Sequence, residues 1–290
     1  MPPDTPSPET DTLPPFSGRK GYLHRQKNRE KTTDGRDRIA ALRQHIDRIE
    51  GNFWSEKTGT VPLGIERIDR HLPAGGLIAN GLYEVIPAAP GDAGAATAFC
   101  AVLAARLQRA SLQKNHGGTA VLWCLNAAAT DAGEIYPPAL ARHGIEPGSL
   151  VALRAKDDAT ALQALEDALA SGAPAVVIGE VGTASLTASR RLQLAAAETG
   201  IPALLLRPPG AAGNTSAALM RWRIASTPSQ PRGWAAMLDE PGFPCWQTEL
   251  FRCRGGAPGD WKVEWRDETG DLSLAAPLRD RPAARHAAIA

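Results

Sequence analysis

Pro87-Ala88-Ala89-Pro90-Gly91-Asp92-Ala93-Gly94-Ala95-Ala96-Thr97 is the stretch that decides the fold class. It follows the apolar run Leu82–Ile86 and leads into Ala95–Ala110, where Phe99, Val102, Leu103 and Leu107 share one helical face. Strand, small-residue loop and helix in that order is the layout of a phosphate-binding loop, in which backbone N–H groups and a helix N-terminus receive an anion. Working loops of this kind end Gly-Lys-Ser/Thr: the lysine reaches the outer phosphates and the hydroxyl holds magnesium. Here Gly94 is followed by Ala95 and Ala96, and the hydroxyl comes one place later, as Thr97. No lysine occurs from Thr58 to Leu112, and Asp92 would aim negative charge at a triphosphate. The segment reads as a Gly/Ala-rich turn that binds nothing. Gly91, Gly94 and Thr97 are the positions where a nucleotide would be felt if one bound.

Outward from this loop the chain alternates strand and helix. Gly81–Ile86, Ala120–Leu125, Leu150–Leu153, Ala175–Ile178 and Ala203–Leu206 are short apolar runs, the pattern of strands buried on both faces of a parallel sheet. Between them Asp158–Ala170 carries Leu162, Leu165 and Leu169, and Ser185–Thr199 stops at Gly200. Such alternation predicts an α/β domain, a mostly parallel sheet flanked by helices, over residues 58–230, with Trp222–Ile224 as a late strand. Gln247–Cys253 and Trp261–Arg266 alternate apolar and polar residues, and Glu268-Thr269-Gly270-Asp271 turns into Leu272–Leu274. Residues 231–276 therefore form an antiparallel extension of the sheet, and Pro277–Ala290 a frayed tail.

The N-terminal part is of another kind. Residues 1–34 combine six prolines with a basic tract, Arg19–Lys31, and too few apolar residues to order themselves. Gly35–Glu50 reads as a helix, with Ile39, Leu42, Ile46 and Ile49 at 3-4-3 spacing, and residues 51–57 link it to the core. Two heptads are marginal alone, so this stripe docks on its own domain, on a second copy or on a partner.

Composition excludes several function classes. Among 290 residues, 43% are hydrophobic and 22% charged, yet no run approaches the ~18–20 apolar residues of a membrane span. Met1–Thr12 shows no secretory signal. Cys100, Cys124, Cys245 and Cys253 form no CxxC pair, which speaks against zinc and against a disulfide framework and for a reduced, cytoplasmic setting. The six His are scattered, so no metal site is expected, and a net charge of +1 gives no bulk attraction to nucleic acid.

Leu63-Gly64-Ile65-Glu66-Arg67-Ile68-Asp69-Arg70-His71-Leu72-Pro73-Ala74-Gly75-Gly76-Leu77, followed by Asn80–Val85, resembles the entry to the core of RecA-type recombinases. His143-Gly144-Ile145, Ser149-Leu150 and Ala161–Ala170 ahead of Ala175–Glu180 look like the same domain's approach to its magnesium-side strand. A closer resemblance is to the ImuA family, RecA-like accessory proteins of bacterial SOS mutagenesis cassettes. It rests on Val121–Leu125, Gly179–Gly182, Leu186-Thr187-Ala188-Ser189-Arg190-Arg191-Leu192-Gln193, Arg221-Trp222-Arg223 and Leu250-Phe251-Arg252-Cys253-Arg254-Gly255-Gly256. It spans roughly residues 58–275.

That resemblance implies work in translesion synthesis beside a Y-family-like polymerase homologue (ImuB) and an error-prone DnaE-type polymerase, with RecA a further candidate contact. RecA-type ATPases place an acid for magnesium at the end of the third core strand, which falls on Glu180. They place a water-activating glutamate after the second, which falls in Asn126–Ala129, where no carboxylate occurs before Asp131. With lysine, acid and base weakened together, transition-state binding loses on the order of several kcal/mol. The expectation is a non-catalytic core without cofactor, acting through protein contacts. Rival readings are a weak ATPase using Thr97 and Glu180, and a SulA-type cell-division inhibitor, a shorter class without the N-terminal helix and C-terminal hairpin. DNA contact is expected to be weak or indirect. Arg190, Arg191, Arg207, Arg221 and Arg223 are the candidates for a basic surface, beside a loop, Pro208–Ser216, that holds no Lys or Arg. Trp222, Trp246, Trp261 and Trp265 are expected in the sheet core rather than as stacking platforms for bases.

Overall fold

Each apolar run of the sequence becomes a strand, because a residue pair facing opposite sides of a buried sheet must be apolar twice over. The computed structural model describes residues 59–113, 118–126, 134–229, 231, 234–238, 240–266 and 269–275. The basic tail, the helix expected at Gly35–Glu50 and the C-terminal stretch expected to fray lie outside these residues.

In chain order the elements are β1 (Thr60–Val61), α1 (Glu66–Asp69), β2 (Leu77–Ile78), β3 (Leu82–Pro87), α2 (Ala93–Gln113), β4 (Val121–Asn126), α3 (Pro137–Arg142), β5 (Leu150–Ala155), α4 (Asp158–Ser171), β6 (Val176–Glu180), α5 (Leu186–Thr199), β7 (Ala203–Leu206), β8 (Met220–Thr227), α6 (Trp234–Met237), β9 (Cys245–Cys253), β10 (Gly259–Arg266) and β11 (Asp271–Leu274). The long helices are cut where local chemistry cuts them. Asp157 and Ser185 accept the Thr160 and Ala188 amides as N-caps, and Gly172 and Gly200 close the same helices in the left-handed region.

Nine strands form one sheet in the order β11-β10-β9-β8-β3-β7-β6-β4-β5, and β1 and β2 make a separate two-stranded ribbon. From β8 through β3 to β5 all neighbours are parallel; from β8 outward to β11 they are antiparallel. The fold is thus α/β with a large, mostly parallel sheet, and β3, the strand before the small-residue loop, lies well inside it. Helix α2 covers one face, where Phe99, Val102 and Leu103 meet Tyr83, Val85 and Trp123. Helices α4 and α5 cover the other, where Leu165, Leu169 and Leu192 meet Cys124, Val177 and Leu205.

The antiparallel strands wrap around α2, and the tryptophans join the same core: the Phe99 and Trp222 rings lie 5.3 Å apart, and Trp246, Trp261 and Trp265 are buried beside them. No helix among the described residues is long and apolar enough to cross a membrane. One expectation fails here. Leu150–Leu153 was expected to be buried on both faces, but β5 is the last strand of the sheet, and Val151 and Leu153 are exposed. Helix α4 reaches over only its end, at Ala155.

Candidate functional site

Parallel sheets present their binding loops at the carboxyl ends of the strands. At the end of β3, Pro90–Asp92 forms a single 3-10 turn before α2 begins. Most of its backbone donors are occupied. Pro87 and Pro90 have no N–H. The Ala88 amide donates to the Ile224 carbonyl at 2.7 Å, and the Asp92 amide to the Ala89 carbonyl at 2.9 Å. The Ala89 amide donates to Asp92 Oδ2 at 3.0 Å, while Asp92 Oδ1 accepts the Ser226 amide of β8 at 2.8 Å. The carboxylate expected to face a nucleotide faces its own loop instead, pinning it to the neighbouring strand.

Neither Gly91 nor Gly94 adopts a positive φ, and a Cβ on either would meet no atom within 4 Å. Glycine is therefore not required at these positions by the fold. Both are exposed, and Thr97 is half-buried on the first turns of α2.

Glu180 ends β6, two strands from β3, with Oε1 accepting the Trp123 indole N–H at 3.1 Å. Burial pushes its carboxyl above the usual range, partly offset by the Trp123 and Asn126 donors. Cys100 and Cys124 are raised by their own burial and then by this carboxylate, which makes them unreactive thiols.

The opposite face of the sheet carries a buried polar network at its centre. Glu84, in the middle of β3, is 0% exposed. Its Oε2 accepts Arg221 Nε at 2.6 Å, and its Oε1 accepts the Ser216 hydroxyl at 2.7 Å and Arg207 Nη1 at 3.4 Å. Arg221 then donates to the carbonyls of Ala211, Ala212 and Asn214, fastening the Pro208–Ser216 loop onto the core. Arg207 reaches the Gly182 carbonyl at 3.4 Å, and its Nε has no partner among the described residues. Burial lowers its pKa, and Glu84 beside it raises it.

Next to it Asp158 accepts from Asn126 Nδ2, from the Gly182 and Thr183 amides and from the Thr183 hydroxyl, at 2.6–2.7 Å. Burial alone would raise the Asp158 carboxyl; the Thr183 and Gly182 bonds and nearby Arg207 outweigh it and hold the group below the usual range.

The five arginines therefore do not form one basic surface. Arg207 and Arg221 are each 4% exposed and turned inward, because a carboxylate buried in β3 must be paired to be tolerated. Arg191 is exposed but paired with Glu166 of α4, and Arg223 pairs with Glu249 at 2.6 Å and lies over the Phe251 ring. Arg190 is exposed on α5 without an ion pair among the described residues. Ile39, Leu42, Ile46 and Ile49 lie outside the described residues.

No family profile matches the chain. Two curated relatives do: Protein ImuA of Caulobacter vibrioides strain NA1000 / CB15N and of strain ATCC 19089 / CIP 103742 / CB 15, each 38% identical over 217 residues, 71% of this chain and 84% of the relative. The chain belongs to the ImuA family.

Within this ImuA-family chain the structure gives the Leu186–Gln193 run its physical content. The Ser189 hydroxyl accepts the Ala217 amide, Leu192 fills the core, and Gln193 Oε1 accepts the Leu82 amide at 2.8 Å, holding the first residue of β3. Sequence reasoning missed Glu84, Asp158 and Asn126. The signal for Glu84 was present: a lone carboxylate inside an apolar run needs a buried cation, and Arg221 sits beside a core tryptophan on the adjacent strand.

Proposed function

We propose that this ImuA-family protein is a non-catalytic member of SOS-induced translesion synthesis, a RecA-like core retained as a scaffold. It acts through contacts with a Y-family-like polymerase homologue (ImuB) and an error-prone DnaE-type polymerase, with RecA as a further contact. It takes no cofactor. The observation that carries this reading is the Asp92 carboxylate, bonded to the Ala89 and Ser226 amides in a loop that lacks lysine. An internal anion takes donors from the loop and repels a phosphate approaching it.

Family membership at 38% identity supports the setting, and the parallel sheet with an antiparallel extension supports the RecA-like core. DNA contact, where it occurs, falls to the basic tail and to Arg190, and self-association or partner docking to Ile39, Leu42, Ile46 and Ile49. Isothermal titration with ATP and magnesium tests the central point. Binding weaker than about millimolar, or about 4 kcal/mol, is expected. Micromolar affinity or measurable turnover overturns the reading.

A further inference from the structure

Strand β5 is an edge with few of the devices that usually blunt one: its one charge, Arg154, is paired with Glu134. Leu150-Val151-Ala152-Leu153-Arg154-Ala155 holds no proline and no lysine, and it pairs with β4 through six residues without a bulge. Among the described residues nothing pairs with its outer side. The opposite edge of the sheet, β11, is shorter and opens on an aspartate.

Side chains alternate along β5. Leu150 packs towards the α2 face, whereas Ala155 packs towards α4, so Val151 and Leu153 project on the α4 side. There Val151 is 49% and Leu153 39% exposed. Arg154 projects to the other side, where its guanidinium is held by Glu134 at 2.7 Å.

We infer that β5 is a self-association edge, joining a second copy of this chain in antiparallel register about a two-fold axis at Ala152. The inference is independent of the role proposed above. Its basis is that the strand is complementary to itself. With Ala152 opposite Ala152 of the second copy, Val151 lies opposite Leu153 and Leu153 opposite Val151, so four exposed apolar side chains cover one another on one face. On the other face Arg154 lies opposite Leu150 rather than another arginine, and the small alanines meet on the axis. Such a contact is isologous and closes at two copies, which removes the exposed ladder instead of propagating it.

Sedimentation velocity on the full chain across a concentration series reads the proposal. The wild type is expected to reach dimer mass, and Val151→Lys/Leu153→Lys to return to monomer at the same concentrations with an unchanged far-UV spectrum. Ala152→Cys is expected to form a disulfide-linked dimer on mild oxidation, since directly opposed cross-strand Cα atoms lie within bridging range. Thr187→Cys, exposed on α5, is expected to form none. A wild type that stays monomeric, or an Ala152→Cys that crosslinks no better than Thr187→Cys, overturns it. So does a dimer that survives the double lysine variant but dissociates in Leu42→Asp/Ile46→Asp, an outcome that would leave the proposed function standing.

Discussion

Arg221 Nε donates to Glu84 Oε2 at 2.6 Å across adjacent parallel strands, with both side chains almost entirely out of solvent. The pair closes the β3–β8 seam and, through the other nitrogens of Arg221, holds the Pro208–Ser216 loop. Removing one member of a buried pair strands the other charge, at a cost of about 3–5 kcal/mol.

Glu84→Gln is expected to be the most damaging substitution in this network, since it leaves the Arg221 guanidinium without a carboxylate and Arg207 with only Asp158 nearby. A loss of about 3–5 kcal/mol in urea unfolding is anticipated. Arg207→Met leaves the Glu84–Arg221 bond intact, so its loss should be clearly smaller. Equal losses would mean that Arg207, despite its 3.4 Å contacts, matters as much as Arg221.

Asp92→Ala removes two backbone hydrogen bonds from a half-buried carboxylate and should lower stability by about 1–2 kcal/mol. Neither this variant nor Ala95→Lys should hydrolyse ATP, because neither substitution supplies a water-activating carboxylate. Hydrolysis of ATP by Ala95→Lys, measured as phosphate release, would contradict the loop's reading.

Glu180 gives a pH signature. Its folded pKa is raised by burial, so in the window from the ordinary carboxylate value up to the folded value the native state binds more protons than the unfolded state. Stability contributed by this site therefore falls as pH rises through that window. Glu180→Gln keeps an oxygen acceptor for Trp123 without the charge. It should be more stable than the wild type at pH 7 and lose that advantage at pH 4, in paired urea titrations. Asp158 acts in the opposite sense: its folded pKa is lowered, so its stabilisation is present above the unfolded value and is lost as pH falls through the folded one.

Binding to single-stranded DNA should be weak, with a shallow salt dependence. Deleting residues 1–34 should abolish most of it, measured by fluorescence anisotropy at two salt concentrations. Unchanged binding after the deletion would move the contact to the Arg190 region.

Leu42→Asp/Ile46→Asp should release a partner or reduce assembly mass in light scattering while the core keeps its melting temperature. Burial of such side chains is worth roughly 1.5–3 kcal/mol each. Unchanged mass with a lowered melting temperature would show that the helix packs on its own domain.

The strands of the parallel sheet were legible because interior strands must be apolar on both faces, as the runs Ala175–Ile178 and Ala203–Leu206 are. Leu150–Leu153 has the same composition, yet it ends the sheet; an apolar run says nothing about which neighbour is missing. Arg207 and Arg221 read as surface charge because their partner, Glu84, lies 123 and 137 residues away, and only the strand order brings them together. The missing lysine after Gly94 was plain. The part played by Asp92 was not, since a loop aspartate serves a ligand or its own backbone equally well until the position of Ser226 is known.

The sheet runs unbroken through nine strands. Eight spacings of about 4.8 Å place its two edges about 40 Å apart. Because one hydrogen-bonded ladder joins them, whatever is held at β11 and a second copy joined at β5 stand at a set distance with no hinge in the sheet between them. A sheet of this shape can act as a ruler, fixing the distance between whatever is held at its two edges.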